Sequence, residues 1–164
     1  MPERVEHCLS PVADPHSRIL ILGTMPSPAS RVYGFYYSHP RNRFWPVLAN
    51  LLNEPIPSSP DKKRDMCLRN RIALWDVLSA CDIKGASDSS ISSPEINDIS
   101  SLAAGTDIRA VFTTGTKASQ LYRRYLAETV GLPHFALPST SPANAKMTTE
   151  QLTEHYSVML PWLH

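Results

Sequence analysis

The residues best suited to chemistry lie in one connection, Leu22–Trp45, which reads LGTMPSPASRVYGFYYSHPRNRFW. It contains several aromatic rings, small residues that expose the backbone, and the carboxamide of Asn42. Such rings, with Arg41 and Arg43 beside them, suit a planar base whose backbone phosphates lie nearby. Soluble domains seldom carry a connection this long, aromatic and basic unless it binds something. The stretch therefore predicts a binding site.

Several other kinds of site are poorly supported by the sequence. Gly23 stands alone where three glycines would be needed to admit a pyrophosphate, so we expect no nucleotide cofactor. There is no G-x-S-x-G elbow, and no residues follow the order of a Ser-His-Asp triad. His39, His134 and His155 have no partner at metal-ligand spacing, and the three cysteines form no CxxC pair. We expect neither a metal nor a cofactor.

The composition of the 164 residues, with 42% hydrophobic content, fits a single domain, 1–164, with a substantial core. The formal net charge of +1 gives no general preference for nucleic acid, so a nucleic-acid site would have to be local. No apolar run approaches the ~20 residues of a membrane helix, and we find no signal-peptide pattern. We expect a cytoplasmic monomer without membrane contact, associated with the nucleoid if its source is bacterial.

Apolar strand-like runs alternate with helical stripes along the chain, which is typical of a parallel sheet covered by helices. The predicted strands are Arg18–Leu22, Ile72–Leu78, Arg109–Thr113 and His134–Leu137. Helices are predicted to begin near Asn42, at Ser59-Pro60-Asp61, near Asn97, after Thr116 and at Thr148. The pattern indicates an α/β fold, a three-layer α/β/α domain around a mostly parallel four-stranded sheet.

The segments between these elements are predicted to be irregular. Residues 1–17 are polar and contain several prolines, which suggests a segment that wraps the surface. The chain from Gly23 to about Arg43 is predicted to be a loop, and Ile83–Ser93, rich in Ser, Gly and Asp, an exposed loop.

Parallel sheets of this kind bind ligands beyond the carboxyl ends of their strands. Four polar clusters follow the predicted strands and should therefore share one rim of the sheet. They are Gly23 with its loop, Asp76, Thr113–Gly115 and Ser139–Asn144.

Three motifs, in this order along the chain, resemble the uracil-DNA glycosylase superfamily: GTMPSPAS…GFYYSHPRNRFWPVL, IALWDVL and LPSTSPANA. The likeness is strongest to its hypoxanthine (deoxyinosine) DNA glycosylase branch, often called family 6, and extends over nearly the whole chain. The resemblance implies a base-excision repair enzyme that flips a deaminated base out of double-stranded DNA and hydrolyses its N-glycosidic bond. Because no Lys is well placed as a nucleophile, we expect it to be monofunctional, without lyase activity. An abasic site would remain, and neither metal nor cofactor would be needed.

The first motif departs from a related branch at Met25. In the mismatch-specific uracil/thymine branch an Asn at this position orients the attacking water, which a Met side chain cannot do. That branch also has HPxNRFW downstream, and in the family 6 pattern the Asn of this motif is taken as the catalytic carboxamide. The resemblance therefore implies that Asn42 is the catalytic residue and orients water. The alternative for Asn42 is a plain helix N-cap.

The third motif departs at Ser139, which replaces the His or Asn that begins HPSPLS-like and NPSGLS-like sequences. Loss of that donor to the pyrimidine O2 implies weak or absent uracil excision. Ser141 matches the Ser that contacts a phosphate in the superfamily. Pro142, Ala143 and Asn144 match the loop that wedges into the duplex when the base leaves, although Ala143 is smaller than the usual Leu.

Asp76 lies where uracil-specific relatives place a base-reading Asn. A carboxylate only accepts hydrogen bonds, which suits the N1–H donor of hypoxanthine. The alternative is that Asp76 caps the turn that follows it. Tyr36 or Tyr37 would stack on the base. The other expected base-binding residues are Gly23, Thr24, Met25, Thr114 and Ser139, and the expected backbone contacts outside the third motif are Ser27, Ser30 and Arg41.

Other functions remain open at this point. The chain could be a mismatch-specific uracil/thymine glycosylase. It could also be a non-catalytic module of the same fold that binds damaged DNA or nucleotides, because Met25 and Ser139 replace polar side chains of the superfamily. A hydrolase of small nucleosides is a further alternative.

Overall fold

The computed structural model describes residues 2–164, and its elements alternate along the chain. The strands are β1 (Glu3–Glu6), β2 (Ile19–Gly23), β3 (Ile72–Asp76), β4 (Leu78–Lys84), β5 (Ser87–Ile96), β6 (Ala110–Thr114) and β7 (His134–Leu137). The helices are α1 (Pro28–Tyr33), α2 (Phe44–Leu52), α3 (Pro60–Arg69), α4 (Ile99–Ala104), α5 (Thr116–Tyr125), α6 (Ala127–Val130) and α7 (Thr149–Tyr156). A 3₁₀ helix, Ser157–Leu163, follows α7.

The centre of the fold is a parallel sheet of four strands in the order β3-β2-β6-β7. All five residues of β2 are buried, because helices cover both faces of the sheet. Ile19 and Ile21 pack on one face with residues of α2 and α7, and Leu20 and Leu22 pack on the other with residues of α4 and α5. The predicted three-layer α/β/α fold is confirmed.

Local capping signals set several helix ends, including the expected starts at Ser59 and Thr148. Ser59 accepts the Lys62 N–H at the start of α3, and Thr148 and Gln151 form a capping box at the start of α7. Gly131, with a φ of 66°, ends α6 in the left-handed conformation. These interactions join residues close in sequence, which is why the pattern predicts them well.

The structure also contains an antiparallel sheet, β1-β4-β5, that the sequence pattern does not predict. The predicted exposed loop Ile83–Ser93 is wrong, because this segment belongs to the β4–β5 hairpin. The hairpin has register shifts and β5 is mostly exposed, so its sequence lacks a regular apolar alternation. Residues 1–17 contain more structure than expected, since β1 pairs with β4 and the fully buried Val12 bridges to Leu74.

No helix within residues 2–164 is long and apolar enough to cross a membrane. The same part of the chain contains no group of three or more His, Cys, Asp or Glu side chains placed to hold a metal ion. Cys67 and Cys81 are buried free thiols. Burial raises the pKa of the Cys67 thiol, which keeps it protonated and unreactive.

Candidate active site

A cleft of about 1310 Å³ opens at the carboxyl ends of the parallel strands. Its lining includes Gly23 at the end of β2, Asp76 at the end of β3, Thr114 at the end of β6 and Ser139 after β7. The four polar clusters therefore meet at one rim, as expected for a parallel sheet. Every predicted site residue lines this cleft except Arg41, which is exposed on the surface.

The long connection after β2 is not one continuous loop, because it contains α1. Ser27 caps α1 by accepting the Ser30 N–H, and Gly34 ends the helix with a φ of 77°. Ser30 is only 2% exposed, and its hydroxyl accepts the Ser38 N–H. Ser30 therefore ties the two halves of the connection together, and its burial keeps its hydroxyl from the expected phosphate contact.

The two neighbouring tyrosines have different surroundings. Tyr36 is 3% exposed and its hydroxyl donates to the Ser10 carbonyl oxygen, so its ring belongs to the core and cannot stack on a base. Tyr37 has a φ of 53°, which turns it away from its neighbour, and it remains partly exposed in the cleft. Its ring stacks on Phe44 with centroids 3.9 Å apart. Of the two expected stacking rings, the geometry supports Tyr37 and not Tyr36.

Two donors from the protein hold the Asn42 carboxamide. Its Oδ1 accepts the Phe44 N–H at 2.9 Å and the Thr140 hydroxyl at 2.8 Å. Both lone pairs of this oxygen are thus in use, and no acceptor within residues 2–164 binds Nδ2. The N-cap residue of α2 is Arg43 and not Asn42, although the Asn42 side chain does bond the N–H of the first helical residue. Asn42 also presents N–H donors, and not a carbonyl, to the cleft.

The loop after β7 is shaped by its own hydrogen bonds. The Asn144 amide donates to the Ser139 carbonyl oxygen, and the Ser141 hydroxyl accepts the Ala143 N–H. Arg43, at the end of the aromatic connection, donates to the Asn144 carbonyl oxygen at 2.6 Å. The Asn144 side chain is thus committed to the loop, whereas Ala143 is exposed. This loop is held in place before any ligand binds.

Asp76 lies deep in the cleft beside Gly23 and is 3% exposed. Its Oδ2 lies 2.8 Å from His7 Nε2. Its Oδ1 would lie only 2.6 Å from a Cβ atom at position 23, so any side chain there would displace the carboxylate. Burial raises the pKa of the Asp76 carboxyl, and the hydrogen bond from His7 opposes that shift. The Asp76 side chain bonds no backbone N–H in the described chain, which does not support a turn-capping role.

Thr114 completes the inner wall of the cleft. Its hydroxyl donates to the Leu22 carbonyl oxygen at 3.4 Å, so the Tyr37 hydroxyl, 3.2 Å away, is the donor to Thr114. Thr24 is 6% exposed, and Met25 packs partly against the core behind β2. The hydroxyls of Tyr37 and Thr114 are therefore held by hydrogen bonds within the protein.

Basic side chains line the outer part of the cleft. Arg31, Lys117 and Arg123 contribute to its wall, although the net charge of the chain is only +1. Asp88, near the tip of the β4–β5 hairpin, adds one carboxylate to the same wall. Arg31, Lys117 and Arg123 thus provide cationic groups on the wall of the cleft, which a nucleic-acid site in this chain requires.

Sequence reasoning placed Arg43 near backbone phosphates, but its guanidinium donates to the Met147 and Asn144 carbonyl oxygens. It did not assign site roles to His7 or Thr140. Thr140 could have been found, because it lies inside the third motif and its hydroxyl is a natural partner for an amide. His7 could not, because it lies 69 residues from Asp76 in a segment that was expected to wrap the surface.

Comparison with known proteins shows the relationships of the chain. The sequence profile of the uracil DNA glycosylase superfamily matches residues 10–164. A protein of Methanosarcina acetivorans named hypoxanthine DNA glycosylase is 34% identical over 149 residues, which cover 90% of this chain and 93% of that protein. A Methanosarcina barkeri protein of the same name is 36% identical over 138 residues, which cover 83% of this chain and 86% of that protein.

A solved structure agrees with these matches. It is a solution NMR structure from Methanosarcina acetivorans, described as a candidate uracil DNA glycosylase, with a TM-score of 0.83 and 33% identity. The match covers 97% of this chain and 99% of that one. Fold and cleft together define a three-layer α/β/α protein with a basic cleft at the carboxyl edge of its sheet. The chain belongs to the uracil DNA glycosylase superfamily, which confirms the resemblance seen in its three motifs.

Proposed function

We propose that the protein is a monofunctional DNA glycosylase that removes hypoxanthine from deoxyinosine in double-stranded DNA and leaves an abasic site. One observation carries the proposal: an amide donor at Asn42 and a carboxylate acceptor at Asp76 line the same cleft in a member of this superfamily. The relatives named hypoxanthine DNA glycosylase, at 34% and 36% identity, support the choice of base. The proposal includes action as a monomer.

Recognition of the base depends on Asp76 and Tyr37. Hypoxanthine carries a hydrogen on N1, and the Asp76 Oδ1 accepts a hydrogen bond from it. The Tyr37 ring, held from behind by Phe44, stacks on the purine. Adenine has a lone pair on N1 in place of this hydrogen, so a carboxylate at this point disfavours the undamaged base.

Catalysis depends on the N–H donors of Asn42. Cleavage of the glycosidic bond passes through an oxocarbenium-like sugar while negative charge develops on the departing purine. Because Phe44 and Thr140 occupy the Asn42 Oδ1, the side chain stabilises that charge as a donor and does not draw a proton from water. This changes the expected role of Asn42 from orienting water to stabilising the leaving group.

Binding to the duplex depends on the basic outer wall and the loop after β7. The Ser141 hydroxyl accepts the Ala143 N–H and retains its own proton, which it can donate to a phosphate. Flipping the nucleotide costs a few kcal/mol and costs least at a mismatched base. The preformed loop limits the part of this cost that comes from ordering the protein.

The experiment that tests the proposal uses labelled duplexes with a single deoxyinosine, uracil or ethenoadenine. After incubation with the protein, alkali converts abasic sites to strand breaks that a denaturing gel resolves. We expect the fastest cleavage at deoxyinosine. Cleavage at uracil without cleavage at deoxyinosine would instead support the mismatch-specific uracil/thymine alternative, and binding without product on every duplex would support the non-catalytic one.

Two further measurements complete this test. Omission of the alkali step should abolish the strand breaks, because the protein is proposed to lack lyase activity. Affinity for the duplex should fall steeply with salt, with a log–log slope of about 0.9 per phosphate contact. Hydrolysis of free inosine with little dependence on salt would contradict a DNA substrate.

A further inference from the structure

Asp76 is a buried carboxylate with only one oxygen satisfied by the protein. Its Oδ2 is bonded to His7, but no donor within residues 2–164 bonds its Oδ1. Oδ1 is not one of the fully buried unpaired polar atoms of residues 2–164, so it can be reached from the cleft. Since Asp76 lines the cleft, a bound ligand can bring the missing donor.

The hydrogen bond from His7 to Asp76 has a defined direction. His7 Nδ1 accepts the Leu9 N–H at 3.2 Å, so the proton of the neutral ring is on Nε2. Nε2–H therefore donates to Asp76 Oδ2 at 2.8 Å. A proton on Oδ2 would meet this N–H, so the arrangement favours the ionised carboxylate and fixes its orientation.

His7 is itself held firmly. Its side chain is 5% exposed, and its ring lies against Tyr36 and Trp75 with centroids 6.2 and 6.4 Å away. Its backbone N–H donates to the Ser79 carbonyl oxygen at 2.7 Å and continues the pairing of β1 with β4. The antiparallel sheet thus delivers an imidazole to the end of a strand in the other sheet. His7 also precedes the residues that the superfamily profile matches, 10–164.

We propose that His7 is a positioning residue for base selection, which holds Asp76 so that Oδ1 remains an unprotonated acceptor for the N1–H of flipped hypoxanthine. This inference rests on the proposed function. Without the His7 donor, burial acts on the carboxyl alone, and Asp76 stays protonated up to a higher pH. A protonated Asp76 offers an O–H where an acceptor is needed, so the enzyme loses hypoxanthine recognition.

Other titratable groups near Asp76 are Tyr36, Tyr37 and Asp88. The negative charge of Asp76 contributes to raising the pKa of each of them. Burial raises the pKa of both tyrosine hydroxyls, so both remain neutral near neutral pH. Burial also raises the pKa of the Asp88 carboxyl, and Lys117 opposes that shift. Titration of Asp88 could therefore also change the pH dependence of excision, and Asp88→Asn is the control for this.

The test is a pH profile of single-turnover excision from a deoxyinosine duplex for the wild type, His7→Leu and His7→Gln. In His7→Leu the acid limb should move to higher pH by about one unit or more, and the rate should approach that of the wild type under alkaline conditions. His7→Gln retains an N–H donor at a similar reach and should restore the wild-type profile. In the Asp88→Asn background the His7→Leu shift should persist.

A structural role alone would give a different result. If His7→Leu lowered the rate by the same factor at every pH, if Gln failed to restore the profile, or if Asp88→Asn removed the shift, the inference would be overturned. Titration of the Asp76 carboxyl by ¹³C NMR in the wild type, His7→Gln and His7→Leu measures the same effect without a substrate. Titration at the same pH in the wild type and in a folded His7→Leu variant, or at a higher pH in His7→Gln than in the wild type, would also contradict the proposal.

The two failures can be told apart. If the wild type does not cut the deoxyinosine duplex at any pH, the proposed function fails, and NMR still reports whether His7 keeps Asp76 ionised. If the wild type cuts it and the profiles of all variants coincide, the function stands and the role of His7 fails.

Discussion

Asn42 and Asp76 line the same cleft but leave opposite hydrogen-bonding groups unused. Asn42 has its oxygen occupied by Phe44 and Thr140 and keeps its N–H donors. Asp76 has one oxygen bonded to His7 and keeps the other as an acceptor. Each group is polarised by partners that do not themselves need to touch a substrate.

This difference shows that the chemical character of the cleft is set by the partners behind it. An amide could in principle present either its oxygen or its nitrogen, and a carboxyl could be an acceptor or a donor. Phe44 and Thr140 together decide the first choice, and His7 decides the second. Changes at the front residues and at the partners behind them should therefore have effects of different size.

The largest effect is expected from Asn42→Asp. Asp retains an oxygen for Phe44 and Thr140, but it replaces the N–H donors with an acceptor. The single-turnover rate on deoxyinosine should fall about 10²- to 10³-fold, as when one donor to a developing negative charge is removed. Asn42→Ala should lose a similar rate and, because it also loses the bond to α2, about 1 kcal/mol of stability in thermal denaturation.

A rate for Asn42→Asp close to that of the wild type would show that the oxygen and not the N–H does the chemistry. That outcome would remove the contrast between the two groups. Binding of the unmodified duplex, measured by fluorescence anisotropy, should be similar in all three proteins.

A smaller effect is expected from Asp76→Asn. The hydrogen bond that N1–H donates to a charged acceptor is lost, so excision of hypoxanthine should fall roughly 10- to 100-fold. An amide can donate as well as accept, so the preference for hypoxanthine over uracil should narrow. The ratio of rates on matched deoxyinosine and uracil duplexes measures this, and an unchanged ratio would show that Asp76 does not read the base.

Gly23→Ala should displace the Asp76 carboxylate and leave the hydrogen bonds of Asn42 unchanged. Its Cβ atom would lie 2.6 Å from Asp76 Oδ1, so the carboxylate must move, at a cost of about 1–3 kcal/mol. Chemical denaturation and excision assays should both detect this change. Gly105→Ala is a matched control, because its Cβ atom would lie 3.9 Å from the nearest atom and Gly105 has a φ of −86°.

The smallest effect is expected from Thr140→Val, which keeps the shape but removes the O–H donor to Asn42. This hydrogen bond contributes about 0.5–1.5 kcal/mol to holding the Asn42 amide in place, so its loss should lower the excision rate only a few-fold. Thr153→Val removes a comparable side-chain hydrogen bond in α7 and should leave the rate unchanged. Equal effects of the two variants on the rate would argue against a specific contact with Asn42.

Much of the α/β/α framework could be predicted, because its signals are local. The strand His134–Leu137 has the predicted bounds, and Ser59-Pro60 starts α3 through a cap between adjacent turns. The same Ser-Pro signal occurs at Ser27-Pro28, where it starts α1. That helix was missed because its six residues carry no apolar stripe long enough to recognise.

The contacts that polarise the site could not be predicted, because they join residues far apart in sequence. His7 and Asp76 are 69 residues apart, and Asn42 and Thr140 are 98 residues apart. Tyr36 and Tyr37 are indistinguishable as sequence, and only the positive φ of Tyr37 shows which ring remains partly exposed in the cleft. The β4–β5 hairpin escaped prediction because exposed, bulged strands need no regular apolar alternation.

The close approach of Asp76 to Gly23 has a consequence for how this site can diverge. The carboxylate oxygen takes up the space that a side chain at position 23 would need. During evolution a residue larger than glycine at position 23 would displace the carboxylate, so replacement of Asp76 by a smaller residue should usually come before replacement of Gly23. Homologous sequences should show this as covariation, with glycine retained wherever the aspartate is present.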